Sequence, residues 1–137
     1  MQLVPYLSFG GKCKEAMEFY KSIIGGELTI QTVGESPMAA GVPPETHNSV
    51  LHSVLVIDGK NFLFASDQND PTKTNPGNTV SLCLSGTKEE ITAIFNKLLE
   101  GGSTEHPLKE EFFGMFGDLT DKYGFKWMVQ SDPEKKA

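Results

Sequence analysis

The segment Val4–Gly26, VPYLSFGGKCKEAMEFYKSIIGG, aligns without gaps on Val80–Gly102, VSLCLSGTKEEITAIFNKLLEGG, at an offset of 76 residues. Seven of the 23 aligned positions are identical. Each segment reads as a short strand, a glycine-containing turn and a helix with apolar residues at i, i+3, i+4 and i+7. Each helix then reaches a Gly-Gly pair, where a left-handed C-terminal cap costs glycine little. The sequence therefore predicts two copies of one structural module.

Three short strands follow each Gly-Gly pair in the sequence pattern. The first hairpin is marked by Asp58-Gly59, a strong two-residue turn signal, and the second by Lys122-Tyr123-Gly124. The predicted strands are Glu27–Val33, Asn48–Ile57 and Asn61–Ser66 in the first copy, and Ser103–Leu108, Met115–Thr120 and Phe125–Ser131 in the second. We therefore expect an α+β fold built from tandem βαβββ modules.

The two copies and their connections set the expected domain organisation. We assign residues 1–66 to the first module, 67–78 to a linker, 79–131 to the second module and 132–137 to a tail, together forming one structural domain. The loop at 34–46 has no counterpart in the second copy, and we interpret it either as a lid or as a merely mobile connection.

Composition excludes several classes of function. The 137 residues are 38% hydrophobic and 22% charged, with a net charge of −6, as in ordinary globular domains. The twelve basic residues are all lysine, so bidentate arginine contacts to phosphate are absent and we expect no nucleic-acid partner. The sequence contains no run of about 18 apolar residues, so we expect no membrane span, no membrane partner and no signal peptide. Two cysteines make no disulfide framework, which favours a cytoplasmic location.

The chain resembles the vicinal oxygen chelate superfamily, which includes glyoxalase I, bleomycin resistance proteins and extradiol dioxygenases. It is most similar to the PhnB-like branch, often labelled 3-demethylubiquinone 3-methyltransferase-like. The resemblance implies paired modules whose sheets curl around a cavity, commonly completed in a homodimer. It rests on PYLSFGGKCKEAMEFYKSIIGGE at 5–27, DGKNFLFASD at 58–67, VSLCLSG at 80–86 and GMFGDLTDKYGFKWMV at 114–129.

The resemblance also locates the metal ligands of metal-dependent members, which are His and Glu on inward-facing strand positions. The corresponding positions here are Pro5, Leu63 or Phe64, Ser81 and Met128. Pro, Leu and Phe cannot bind a divalent cation, and Ser or Met alone would be a poor ligand. We therefore expect no metal and no other cofactor.

Cavity-lining residues follow from strand alternation, because every second side chain faces the same side. The ungapped repeat places Pro5, Leu7 and Phe9 in register with Ser81, Cys83 and Ser85. If these line a cavity, they would suit a flat or aliphatic molecule with few polar atoms; otherwise they fill a packed core. The full predicted lining is Pro5, Leu7, Phe9, His52, Phe62, Phe64, Ser81, Cys83, Phe112, Phe116 and Met128.

Two classes of function remain open from the sequence. We favour a metal-free small-molecule binding protein. The alternative is an enzyme of the same fold with a metal-independent general acid or base, for which Tyr6, His52 and Asp118 are candidates. A methyltransferase, as the family label suggests, is a third interpretation that no motif supports. We expect a homodimer, since half-barrel sheets leave apolar surface and strand edges to cover.

Overall fold

A computed structural model describes residues 1–67 and 70–132. Positions 68–69 of the predicted linker and 133–137 of the predicted tail lie outside the described residues. The chain divides into two compact units, unit 1 (Met1–Asn75) and unit 2 (Pro76–Ala137). Each unit has the order strand, helix, strand, strand, strand, so the predicted α+β fold with tandem βαβββ modules is confirmed.

Unit 1 is a four-stranded sheet with one helix. The strands lie in the order β1-β4-β3-β2, with β1 parallel to β4 and the other pairs antiparallel. The predicted turn between β3 and β4 has positive φ at both Asp58 (51°) and Gly59 (76°), as a type I′ hairpin requires. The elements are β1 (Tyr6–Ser8), α1 (Cys13–Ile24), β2 (Glu27–Thr32), β3 (Val50–Ile57) and β4 (Lys60–Ser66).

Unit 2 repeats this topology with the strand order β5-β8-β7-β6, and β5 is parallel to β8. Helix α2 begins with a capping box in which Thr87 and Glu90 bond each other's backbone amides. The elements are β5 (Leu82–Gly86), α2 (Lys88–Leu98), β6 (Lys109–Glu111), β7 (Gly114–Thr120) and β8 (Lys126–Ser131).

Each sheet has one face packed against its helix, here called the covered face, and one open face. Alternation along the strands puts every second side chain on the covered face, where the core forms. Burying these apolar side chains supplies the main driving force for each unit. The buried apolar positions include Leu7, Leu55, Leu63 and Ala65 with Cys13, Ala16, Met17 and Tyr20 in unit 1, and Leu119, Trp127 and Val129 with Ile91, Phe95 and Leu98 in unit 2.

The predicted strand Ser103–Leu108 is wrong. Ser103 forms only an isolated bridge to Thr120, and the strand that pairs with β7 is β6, at 109–111. Pro107 has no N–H to offer a ladder. The amide of His106 turns instead to the carboxylate of Asp118, at 3.2 Å. The carboxylate of Asp118 therefore replaces a backbone acceptor for the His106 amide, while the carbonyl of His106 still accepts from the amide of Asp118 at 2.9 Å.

The structural repeat differs in register from the ungapped sequence alignment. Leu7 lies opposite Ala65, and the residue in that place in unit 2 is Leu84, opposite Val129, so the spacing is 77 rather than 76. A one-residue slip moves a strand's side chains to the other face. The ungapped alignment, which matched Leu7 with Cys83, therefore matched a covered position with an open one.

The helices show a further shift of one residue. The buried positions Cys13, Met17 and Tyr20 in α1 have the same spacing as Ile91, Phe95 and Leu98 in α2. The offset between these two sets is 78, whereas the Gly-Gly pairs are 76 apart. Compared with unit 1, unit 2 therefore has one more residue between the covered position of its first strand and the first buried position of its helix. It has two fewer residues between the last buried position of its helix and its Gly-Gly pair.

Three short 3₁₀ turns cover most of the loop at 34–46, namely Val33–Glu35, Pro37–Gly41 and Pro44–Thr46. Ser36 donates to the carbonyl of Val33 at 2.7 Å and accepts from the amide of Met38. The loop thus has local structure of its own, and a role as a lid stays a prediction.

Candidate functional site

An aromatic cluster, defined here as Tyr6, His52 and Phe64, lies on the open face of unit 1. The ring centroids are 5.9 Å apart for Tyr6 and His52, 6.1 Å for Tyr6 and Phe64, and 5.3 Å for His52 and Phe64. Tyr6 is directly opposite Phe64 in the parallel pair of β1 and β4, and His52 comes from β3. Because Tyr6 is 50% exposed and His52 is also exposed, the cluster presents a phenolic hydroxyl and an imidazole at the surface.

Other predicted lining residues of unit 1 lie elsewhere. Leu7 and Phe9 are 6% and 5% exposed and belong to the core on the covered face. Pro5 is exposed, and its carbonyl accepts from the amide of Phe64 at 3.0 Å. Phe62 is half-buried beside the buried Leu63. Alternation therefore brings His52 and Phe64 together and separates them from Leu7 and Phe9.

The open face of unit 2 is more polar. The exposed Cys83 is directly opposite the half-buried Met128, and Asp118 follows on the next strand. Two residues further along both strands, Gln130 donates to the hydroxyl of Ser85 at 2.9 Å. Ser81 precedes β5 and is half-buried. Cys83 and Met128 are thus the predicted lining residues that unit 2 brings side by side.

A pocket of about 440 Å³ lies at the edge of unit 2 where β6 meets β7. Phe113 and Phe116 line it with rings 6.1 Å apart, whereas Phe112, at 95% exposure, projects from the hairpin. His106 also lines the pocket, and its Nδ1 is 2.8 Å from Oδ2 of Asp118. Asp118 is one of the acid–base candidates from the sequence, and no motif links it with His106, which lies 12 residues earlier. An interrupted strand pairing brings them together.

The facing residues of the two parallel strand pairs do not fit a divalent metal. In the structural register, the facing pairs at the parallel strands are Tyr6 with Phe64 and Cys83 with Met128. A phenol, a phenyl ring, one thiol and one thioether contain neither a carboxylate nor an imidazole, the ligands that such sites use. Nowhere in the described ranges 1–67 and 70–132 do three His, Cys, Asp or Glu side chains group as metal ligands would. We therefore derive no metal-dependent step.

The two cysteines are free, and they lie in opposite environments. Cys13 is fully buried, with its Sγ 3.5 Å from Oγ of Ser53. Burial raises the pKa of the Cys13 thiol to about 11, while the bond with Ser53 partly offsets this effect. A thiol of such high pKa is a poor nucleophile near neutral pH, so Cys13 is a core residue.

The N-terminus of α1, a common anion site, is occupied by the chain itself. The N-cap residue Lys12 has no acceptor to offer, and Asp67 at the end of β4 supplies one. Its Oδ1 accepts from the amides of Gly11 (2.8 Å) and Cys13 (3.0 Å), and its Oδ2 accepts from Val50 (3.0 Å). Sequence reasoning missed this residue, whose role depends on strand β4 ending beside the helix.

Comparison with known proteins places the chain in a family. Residues 1–130 match the family described as 3-demethylubiquinone-9 3-methyltransferase. Protein YjdN of Escherichia coli K12 is 30% identical, with 94% of each chain covered. The chain therefore belongs to this PhnB-like family, as the sequence resemblance indicated.

Solved structures agree with this assignment. Protein PA1353 from Pseudomonas aeruginosa is 36% identical with a TM-score of 0.83, over 98% of this chain and 99% of that one. A Bacillus cereus PhnB protein, described as a putative 3-demethylubiquinone-9 3-methyltransferase, is 29% identical with a TM-score of 0.73, over 96% and 99%. The fosfomycin resistance protein FosX of Listeria monocytogenes is 9% identical with a TM-score of 0.64, over 97% and 93%, and shares the fold.

Neither helix in the part of the chain that the structure describes has the length and apolar character needed to cross a membrane.

Proposed function

We propose that this protein binds a small molecule without a metal ion, and that the aromatic cluster on the open face of unit 1 forms its contact surface. The observation that carries the proposal is the exposure of this cluster. Tyr6 and His52 stay accessible although they contact each other and Phe64. Clustered rings that a unit leaves uncovered offer a binding surface for a planar molecule.

The chemistry of the cluster narrows the ligand class. Phe64 supplies an apolar surface, Tyr6 a phenolic hydroxyl and His52 an imidazole, each able to donate or accept a hydrogen bond. Small-molecule sites typically combine an apolar lining with a few such polar groups. The ligand would therefore be flat and largely apolar, with one or two polar atoms. Phe62 on β4 is a further contact candidate in unit 1. Cys83 and Met128 are separate contact candidates on the open face of unit 2.

Native mass spectrometry of the purified protein, followed by a titration with whatever compound co-purifies, tests the proposal. His52→Gln and Tyr6→Phe should each weaken binding about three- to tenfold, as loss of one hydrogen bond predicts. His47→Gln and Tyr123→Phe remove the same groups elsewhere and should leave affinity unchanged. Equal affinity in all four folded variants would count against the aromatic cluster as the contact surface.

A metal-independent enzyme is the second candidate function. The contact between Asp118 and His106, at 2.8 Å, favours it, because a carboxylate that orients an imidazole is a recurrent acid–base arrangement. Tyr6 and His52 are the corresponding candidates on unit 1. Chemical conversion of the co-purified compound, lost in Asp118→Asn or His52→Gln, would support catalysis over capture.

We do not extend the methyltransferase name of the family to an activity. A cradle for S-adenosylmethionine usually needs a glycine-rich turn between a strand and a helix in an open parallel sheet, whereas two of the three strand pairs in each sheet here are antiparallel. Here Asp67 accepts from the amides of Gly11 and Cys13 at the glycine turn before α1. Binding of S-adenosylmethionine by calorimetry would contradict this interpretation.

We further propose that the protein is a homodimer in the cytoplasm. Large apolar side chains are strongly exposed in the single chain, among them Leu3 (98%), Val80 (72%) and Phe112 (95%). A second copy would remove such surface from water. Light scattering at micromolar concentration should give twice the mass of the chain, and a monomer would overturn the proposal.

A further inference from the structure

We propose that the pocket between β6 and β7 is a second ligand site, which takes a planar aromatic molecule carrying a hydroxyl group. The proposal stands on residues of unit 2 alone. Three kinds of group line the pocket: the apolar side chains of Phe113, Phe116 and Pro107, the imidazole of His106, and the charged side chains of Glu105, Lys109 and Glu111.

The hydrogen bond between His106 and Asp118 fixes the chemistry that the imidazole offers. A carboxylate only accepts, so Nδ1 of His106 carries the proton that it shares with Oδ2 at 2.8 Å. In its neutral form the ring then leaves Nε2 as an acceptor. A second bond holds the pair, since Oδ1 of Asp118 accepts from the amide of His106 at 3.2 Å. Asp118 is thus a positioning residue, and His106 is the contact residue.

The geometry of the side chains suits a ligand rather than a packed core. The side chain of His106 is 66% exposed although Asp118, its partner, is only 19% exposed. The imidazole is therefore held at one edge while its remaining edge is open. Phe113 is 41% exposed, and its ring meets that of Phe116 at 70°, an edge arrangement that leaves ring surface uncovered.

The charged residues at the rim disfavour an anionic ligand. Nζ of Lys109 is 3.9 Å from Oε1 of Glu111, and Glu105 adds a second carboxylate, so the rim has a net negative charge. A neutral aromatic molecule can lie against Phe113 and Phe116 and donate its hydroxyl hydrogen to Nε2 of His106. The phenyl rings provide the contact area, and the imidazole selects for the hydroxyl.

2-Naphthol is the probe, and 2-methoxynaphthalene, which has the same rings but no donor, is its matched control. Titrations at pH 8 are followed by NMR of the histidine and phenylalanine ring signals. We expect 2-naphthol to shift His106 and Phe116, and to bind about five- to tenfold more tightly than the ether, as one hydrogen bond predicts. His106→Gln and Asp118→Asn should reduce this preference, and Phe116→Leu should weaken both compounds.

The control variant is His47→Gln, in which a different imidazole, bonded to the carbonyl of Ala39, is removed. It should retain the preference for 2-naphthol. Equal binding of the two compounds, a preference that survives in folded His106→Gln, or shifts confined to residues of unit 1 would each overturn the proposal. Because the His52 signals are read in the same spectra, failure here is separable from failure of the proposed function.

Discussion

The indole Nε1 of Trp127 donates a hydrogen bond to Oδ2 of Asp121 at 2.8 Å, and both residues are almost fully buried. Oδ1 of the same carboxylate accepts from the amides of Tyr123 and Phe125, so Asp121 holds the turn between β7 and β8 as well as the core indole. The carboxylate is satisfied by three donors, which makes it tolerable in the interior.

We predict that Trp127→Phe destabilises the protein by about 2–4 kcal/mol, since it removes a bond to a charged acceptor and leaves a void. Unfolding in urea followed by circular dichroism measures the loss. Asp121→Asn is the companion variant: its amide can still accept from the turn but directs a donor at the indole N–H. Its transition can be followed by fluorescence, because Trp127 is the only tryptophan. A change in the free energy of unfolding below about 0.5 kcal/mol in both Trp127→Phe and Asp121→Asn would contradict the prediction.

Asp67→Ala should cost about 2–3 kcal/mol, because it leaves the amides of Gly11, Cys13 and Val50 without their acceptor. The matched control is Asp70→Ala, in which a carboxylate that bonds Thr72 in an exposed turn is removed. That change should cost less than about 1 kcal/mol. Denaturant titration of both variants measures the free energy of unfolding. Equal losses of this free energy in Asp67→Ala and Asp70→Ala would mean that Asp67 has no special role.

The raised pKa of Cys13 predicts unequal thiol reactivity. With a pKa of about 11, only about one Cys13 thiol in a thousand is ionised at pH 8, and the side chain is also inaccessible. Ellman's reagent should label one thiol promptly and the second only on unfolding. Cys83→Ser should abolish the fast phase, and its persistence in that variant would contradict the assignment.

The same pKa shift predicts a pH dependence of stability. A thiol whose pKa rises from 9.0 when unfolded to about 11 when folded contributes stability that is fully present below pH 9. This contribution is lost as the pH rises from 9 to 11, because the folded state resists ionisation. Cys13→Ala should show a smaller fall in stability over this range than the parent protein. If the free energy of unfolding falls equally with pH in the variant and the parent protein, ionisation of Cys13 does not contribute to the pH dependence.

Divalent metal should not bind stoichiometrically. Elemental analysis after dialysis against zinc, nickel or manganese and then buffer should give well under one ion per chain, because the facing pairs Tyr6–Phe64 and Cys83–Met128 lack carboxylate and imidazole ligands. His52→Gln serves as a comparison, because the imidazole of His52 lies beside the pair Tyr6–Phe64. One tightly held ion per chain, lost in that variant, would overturn the prediction.

The element order could be predicted from sequence because its signals are local. The Gly-Gly pairs, the Asp58-Gly59 turn and the helical spacing each involve neighbouring residues. The register of β5 could not be predicted from the sequence, because it is set by the pairing of β5 with β8. A slip of one residue exchanges the faces of Cys83 and Leu84. The same holds for His106 and Asp118, whose contact depends on where the pairing to β7 breaks.

The position of Cys83 gives unit 2 a ready-made probe site. Because Cys13 is sealed in the core of unit 1, a maleimide dye or nitroxide added to the native protein would attach at a single place, beside Met128. Spectroscopy could then follow what reaches this sheet surface without engineering any residue.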